Sequence, residues 1–157
     1  MGRKKHTILM SKAKEKLIVF TDGGSRGNPG PAAIGVVIRD GVGHSIKSYG
    51  ETIGAATNNE AEYRAVIFAL QKLKALFGKE RTKDTEVEVY MDSELVVRQL
   101  GGKYKLEEEK LFLLFIKIWN LKMNFGGVRF FHIPREKNKE ADSLVNQALD
   151  RDQKSLF

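Results

Sequence analysis

Apolar residues change their spacing at defined places along the chain, and these changes lay out a succession of elements. Leu17-Ile18-Val19-Phe20 is a continuous apolar run stopped by Asp22-Gly23-Gly24, the pattern of a strand covered on both faces. Ala33 to Ile38 predicts a second strand. Arg39 to Gly43 is a turn, and the alternation over 44–53 predicts a third strand closing a hairpin. Thr57-Asn58-Asn59-Glu60 is a capping-box pattern. It opens a helix to about Phe77 with Ala65, Val66, Ala69, Leu73 and Leu76 on one face and Gly78 as its stop. Glu86 to Met91 alternates, with Val87, Val89 and Met91 on one side. Asp92-Ser93 then leads into a short helix ending at Gly101-Gly102. Glu107 to Phe125 predicts another helix, closed by Gly126-Gly127. Val128 to Ile133 is a fifth strand, broken by Pro134, and Asn138 caps a last helix to about Leu149.

The order β-β-β-α-β-α-α-β-α predicts a mixed α/β fold, a mixed sheet with helices on its faces. At 157 residues the chain is one domain, with ordinary globular values of 41% hydrophobic and 30% charged residues. Residues 17–150 form its body, between an arm (1–16) and a tail (151–157) without structural signal. There is no cysteine, which excludes a disulfide scaffold, a thiolate zinc site and a cysteine nucleophile. No apolar run approaches the roughly 18 residues of a membrane span and no signal-type apolar region follows the basic start, so a soluble, cytoplasmic protein without a membrane partner is expected.

The net charge of +7 changes the picture because of its placement. Residues 1–16 hold Arg3, Lys4, Lys5, Lys12, Lys14 and Lys16 against Glu15 alone, which is five of the seven units. The segment is read as a basic arm suited to a polyanion, or as a solvated tail without a role.

Four carboxylates stand out by position. Asp22 ends the most apolar strand; Glu62 lies early in the long helix on the face of Val66, Ala69 and Leu73. Asp92 ends the strand after that helix, and Asp142 opens the last helix on the face of Val145 and Leu149. Acidic side chains are rarely buried without a partner, and a set aimed at one point calls for a cation between them. All-oxygen ligation suits Mg²⁺ or Mn²⁺, and two such ions about 3.5–4 Å apart form a clamp for phosphodiester hydrolysis. Each acid singly also has a plainer reading, as a turn residue or a helix N-terminal carboxylate.

The segments around them carry a resemblance. Thr21-Asp22-Gly23-Gly24-Ser25-Arg26-Gly27-Asn28-Pro29-Gly30, Thr57-Asn58-Asn59-Glu60-Ala61-Glu62, Met91-Asp92-Ser93-Glu94-Leu95-Val96 and Asn138-Lys139-Glu140-Ala141-Asp142-Ser143-Leu144-Val145 are similar, in order, to the four motifs of the type 1 ribonuclease H family. The resemblance spans Leu17 to Leu149. It implies a ribonuclease H-like fold with sheet order 3-2-1-4-5 and strand 2 antiparallel to the rest. It also implies Asp22, Glu62, Asp92 and Asp142 as catalytic ligands of two Mg²⁺ (or Mn²⁺) ions. The implied activity is endonucleolytic hydrolysis of the RNA strand of RNA–DNA hybrids, leaving 5′-phosphate and 3′-hydroxyl ends, by a monomer.

The resemblance also suggests substrate contacts. Asn28, Asn58 and Asn59 fall at positions that read the ribose 2′-hydroxyl, Thr57 at one that holds a DNA-strand phosphate, and Glu94 at a polar position two residues after the third acid. Glycines 23, 24, 27 and 30 would let the nucleic-acid backbone come close. The plainer readings are a turn at Asn28-Pro29-Gly30 and caps at Thr57, Asn58 and Asn59. The chain departs from the family pattern in two places. The basic, Trp-bearing protrusion of many members is replaced by Gly101 to Leu106, where Tyr104 between two lysines is a weak substitute, followed by Glu107-Glu108-Glu109. Trp119 is expected in the core. The loop that carries a catalytic His is short: His132 falls inside the last strand, and Arg135 is the better-placed cation for a phosphate. Such a compact form resembles archaeal, some bacterial and retroelement members, and leaves double-stranded RNA open as a second substrate. The competing readings are a non-catalytic nucleic-acid-binding module, which retention of all four acids opposes, and a DNA-directed nuclease, which the three asparagines oppose.

Overall fold

The computed structural model describes residues 15–155; residues 1–14 of the basic arm lie outside the described residues. Strands β1 (Glu15–Ser25), β2 (Gly30–Asp40) and β3 (Ser45–Ala56) form an antiparallel meander, and β4 (Thr85–Met91) and β5 (Gly127–His132) add to β1 in parallel. The five-stranded sheet has the order β3-β2-β1-β4-β5, as expected from the motifs. β1 therefore lies at the centre, which accounts for its continuous apolar run.

Helix α1 (Asn58–Phe77) covers one face. Its capping box is complete: the Glu60 N–H donates to Thr57 Oγ1 (3.1 Å) and the Thr57 N–H to Glu60 Oε1 (3.0 Å). Tyr63, Val66, Leu70 and Leu73 pack on Val19, Val36 and Val89, all fully buried. Each such side chain contributes roughly 1.5–3 kcal/mol by leaving water. Helix α5 (Lys139–Ser155) covers β2 and β3 on the opposite face through Val145, Ala148 and Leu149. The remainder of that face is closed by an aromatic ladder. Phe20, Tyr90 and Phe131 stack across β1, β4 and β5 at 5.3 and 5.2 Å, with Arg39 over Phe20 and Arg129 over Phe131.

The structure departs from the pattern in several places. A short helix α2 (Lys79–Lys83) follows Gly78. Leu76, placed on the core face by periodicity, is 43% exposed, and Phe77 packs against the core in its stead at the last turn of α1. The helix expected over Glu107–Phe125 is a 3₁₀ turn, Glu109–Leu111, followed by α4 (Phe112–Lys122); α3 (Glu94–Leu100) precedes it. Trp119 is 57% exposed rather than core. α4 packs inward through fully buried Ile118 with Leu114, Phe115 and Leu121, and a 3.6-residue turn swings the successor of Ile118 about 100° toward solvent. Lys122 Nζ lies 5.4 Å over the Trp119 ring. β1 begins at Glu15, inside the segment assigned to the arm, and α5 continues past Leu149 to Ser155. Among the described residues no helix is long and apolar enough to cross a membrane.

Candidate active site

Asp22 sits on the central strand, Glu62 in the second turn of α1, and Asp92 directly after β4. Two glycines bring the helices to this point. A Cβ on Gly23 would collide with the Ala61 carbonyl and the Glu62 nitrogen, so only glycine lets α1 settle beside Asp22. Gly35, paired with Asp22 across β1 and β2, gives the Ala141 carbonyl of α5 the same clearance on the other face. One carboxylate oxygen from each of Asp22, Glu62 and Asp92 lies within 4.8 Å of the others. Asp142, in the first turn of α5, lines the same cleft and completes the four.

The electrostatics of this grouping are unfavourable without a cation. Asp22 and Glu62 are only 7% and 8% exposed. Burial, then the charges of Asp92 and Asp142 and the Asp142 hydrogen bond, push Asp22 from an ordinary 3.8 to about 8, against a small opposing effect of the Gly23 N–H. Burial, then Asp22 and Asp92, hold Glu62 well above the usual range, with Arg135 opposing. Glu62 Oε2 is buried without a hydrogen-bond partner among the described residues. An all-oxygen donor set with an orphaned buried oxygen and protons held against burial fits a hard divalent cation.

The four acids lie in a cleft of about 430 Å³ that Asn58, Asn59, Ser93, Arg26 and Arg135 also line. Asn58 Oδ1 accepts from the N–H and hydroxyl of Ser25 at 2.9 and 3.2 Å, and Asn28 Oδ1 accepts from the Asn58 N–H at 2.9 Å. The helix cap is Thr57 rather than either asparagine, and Asn28 buttresses Asn58 without lining the cleft. Arg135 reaches the cleft, whereas His132 is the exposed last residue of β5 and lies outside the lining. Thr57, Glu94 and Tyr104 are outside it too. Thr57 is engaged in its capping box, Glu94 accepts from Arg98 Nε at 3.0 Å, and Tyr104 lies under the Arg98 guanidinium. Gly23 lines the cleft, but its clearance is filled by α1; that of Gly30 is filled by the Arg26 carbonyl.

Two residues escaped the sequence reading. Arg26 lines the cleft and is fixed by Asp150 Oδ1 (2.6 Å) and, from the segment assigned to the tail, by Gln153 Oε1 (2.7 Å). Asn138 was expected as a cap. Its backbone carbonyl does accept from the Asp142 N–H, but its side chain turns inward to Thr21 and Asp92. Both stand inside the motifs quoted above, but only as members of them, and no local rule gave either side chain its role.

Residues 20–148 match the family model described as "Reverse transcriptase-like". The solved structure of LC11-RNase H1, isolated from compost, superposes with a TM-score of 0.83 at 51% identity over 88% of this chain and 98% of that one. The chain belongs to the type 1 ribonuclease H family. LC11-RNase H1 has also been solved in complex with an RNA/DNA hybrid, and that structure matches equally well, at 51% identity. Ribonuclease HI of Halobacterium salinarum is 42% identical over 131 residues, 83% of this chain and 63% of that protein. The bifunctional protein Rv2228c of Mycobacterium tuberculosis is 39% identical over 137 residues, 86% of this chain and 36% of its own length. The chain thus spans less than two thirds of these two relatives.

Proposed function

We propose that this chain is an endoribonuclease that hydrolyses the RNA strand of RNA–DNA hybrids, using two Mg²⁺ (or Mn²⁺) ions and leaving 5′-phosphate and 3′-hydroxyl ends. The observation that carries the reading is the convergence of Asp22, Glu62 and Asp92, with Asp142 lining the same cleft, where burial opposes the ionisation of Asp22 and Glu62. Asp22, Glu62, Asp92 and Asp142 would hold the ions, which the proximity of the first three carboxylates and the place of the fourth in the same cleft support. Bound there, the ions would supply an activated water and charge stabilisation at the leaving oxygen. Arg135, which lines the cleft and acts on Glu62 by its charge, would hold the phosphate by charge and hydrogen bonds. Asn58 and Asn59 read the minor groove at the same wall, which favours a ribose-bearing strand. LC11-RNase H1, solved with an RNA/DNA hybrid, is the relative whose printed substrate agrees with this reading.

The test is a side-by-side assay of hybrid, double-stranded RNA and double-stranded DNA in Mg²⁺ and Mn²⁺, with Asp22→Asn in parallel. Cleavage of the hybrid's RNA strand, abolished in Asp22→Asn while hybrid binding persists, is expected. Binding without turnover, or cleavage of DNA alone, refutes the reading; cleavage of double-stranded RNA as well would widen the substrate class.

A further inference from the structure

The two asparagines lining the cleft are held in opposite senses. Asn58 spends its carbonyl on Ser25, so its amide N–H groups remain for the cleft. Asn59 is the reverse: its Nδ2 donates to Glu108 Oε1 at 3.0 Å, which leaves its carbonyl oxygen. An ionised carboxylate only accepts, so the partner fixes which way the Asn59 amide lies. Glu108 belongs to the Glu107-Glu108-Glu109 run that stands where longer relatives carry a protrusion. Its backbone is anchored, because its carbonyl accepts from the N–H of fully buried Leu111 at 3.0 Å. A donor wall beside an acceptor wall matches a hydroxyl, which is both.

We propose that Glu108 is a positioning residue that locks Asn59 with its carbonyl toward the cleft, so that this position demands a hydrogen-bond donor from the RNA strand and selects the 2′-hydroxyl. The inference rests on the hybrid-cleaving reading above. A site built to receive a hydroxyl proton rejects an analogue that lacks it.

The experiment walks a single 2′-fluoro substitution, which keeps an acceptor and removes the donor, along the RNA strand of a hybrid cleaved in Mg²⁺. At one position the unaltered chain should show KM raised about threefold to tenfold with kcat little moved, the effect of one lost hydrogen bond. Glu108→Ala should reduce that penalty to under about twofold. Glu108→Lys, which can only donate, should turn the amide and remove or reverse it. Glu108→Gln, which can still accept, and Glu109→Ala, which removes the same charge one residue on, should keep it. A penalty that is equal in the unaltered chain, Glu108→Ala and Glu108→Lys, or is absent at every position, or falls as far in Glu109→Ala, overturns the inference. Failure of the unaltered chain to cleave any hybrid instead defeats the functional reading on which it rests.

Discussion

Asn138 donates from its side-chain amide to the carbonyl of Thr21 at 2.9 Å and lies 3.3 Å from Asp92 Oδ2. The residue is 1% exposed and 117 positions from Thr21 in sequence. One amide thus ties the start of α5 to the strand carrying Asp22 and orients a second acid. Asn138→Ala should cost about 1–3 kcal/mol, since it strands a buried carbonyl. It should also weaken Mg²⁺ dependence about 10–100-fold, the usual effect of losing a group that orients a metal ligand. Urea melts and Mg²⁺ titrations of activity would measure the two effects. Full activity at unchanged Mg²⁺ demand would show that Asp92 needs no such support.

Gly23 holds α1 against β1 with no room for a side chain. Gly23→Ala must push the Ala61–Glu62 backbone away and carry the Glu62 carboxylate with it. Displacing a catalytic group by about 1 Å can cost around 100-fold in rate. The expected outcome is a kcat loss of about that size in a protein that still melts cooperatively; Gly24→Ala, where a Cβ would meet only ordinary contacts, should be far milder. Equal activities in the two variants would count against this account.

The raised carboxyls set a pH dependence whose sign is fixed. Asp22 titrates near 8 in the folded chain against 3.8 ordinarily, and Glu62 is shifted the same way. The folded state therefore holds more protons than the unfolded state between those values, so stability without divalent cations falls as pH rises from about 4 to about 8. A bound cation displaces the protons and should reverse the trend. Denaturation midpoints with chelator and with saturating Mg²⁺ would check this, and Asp22→Asn should flatten the chelator curve. A chelated protein that gains stability over that range would contradict it.

The basic arm makes a separable prediction. Each phosphate contact steepens the fall of affinity with salt. Deleting residues 1–14 removes Arg3, Lys4, Lys5, Lys12 and Lys14 without touching β1, which starts at Glu15. The truncated chain should show a flatter salt dependence and a higher KM at little change in kcat. An identical salt slope would make the arm a solvated tail.

The sequence by itself determined the element order, the central strand and the four acids, because these follow from local rules. A strand buried on both faces needs a continuous apolar run, a capping box needs Thr57 and Glu60 three apart, and Glu62 shares a helical face with Val66 and Leu73. Tertiary structure decided what depended on partners distant in sequence. Trp119 looked like core until α4 packed through Ile118, Leu114, Phe115 and Leu121 instead, and residues 151–155 carried no signal because their helix is held by Arg26 and Gly50. Asn138 read as a cap until its amide found Thr21, and Glu108 was one acid in a run until it met Asn59. Periodicity and capping act within a few residues of chain, whereas the orientation of an amide depends on whichever group the fold brings to it.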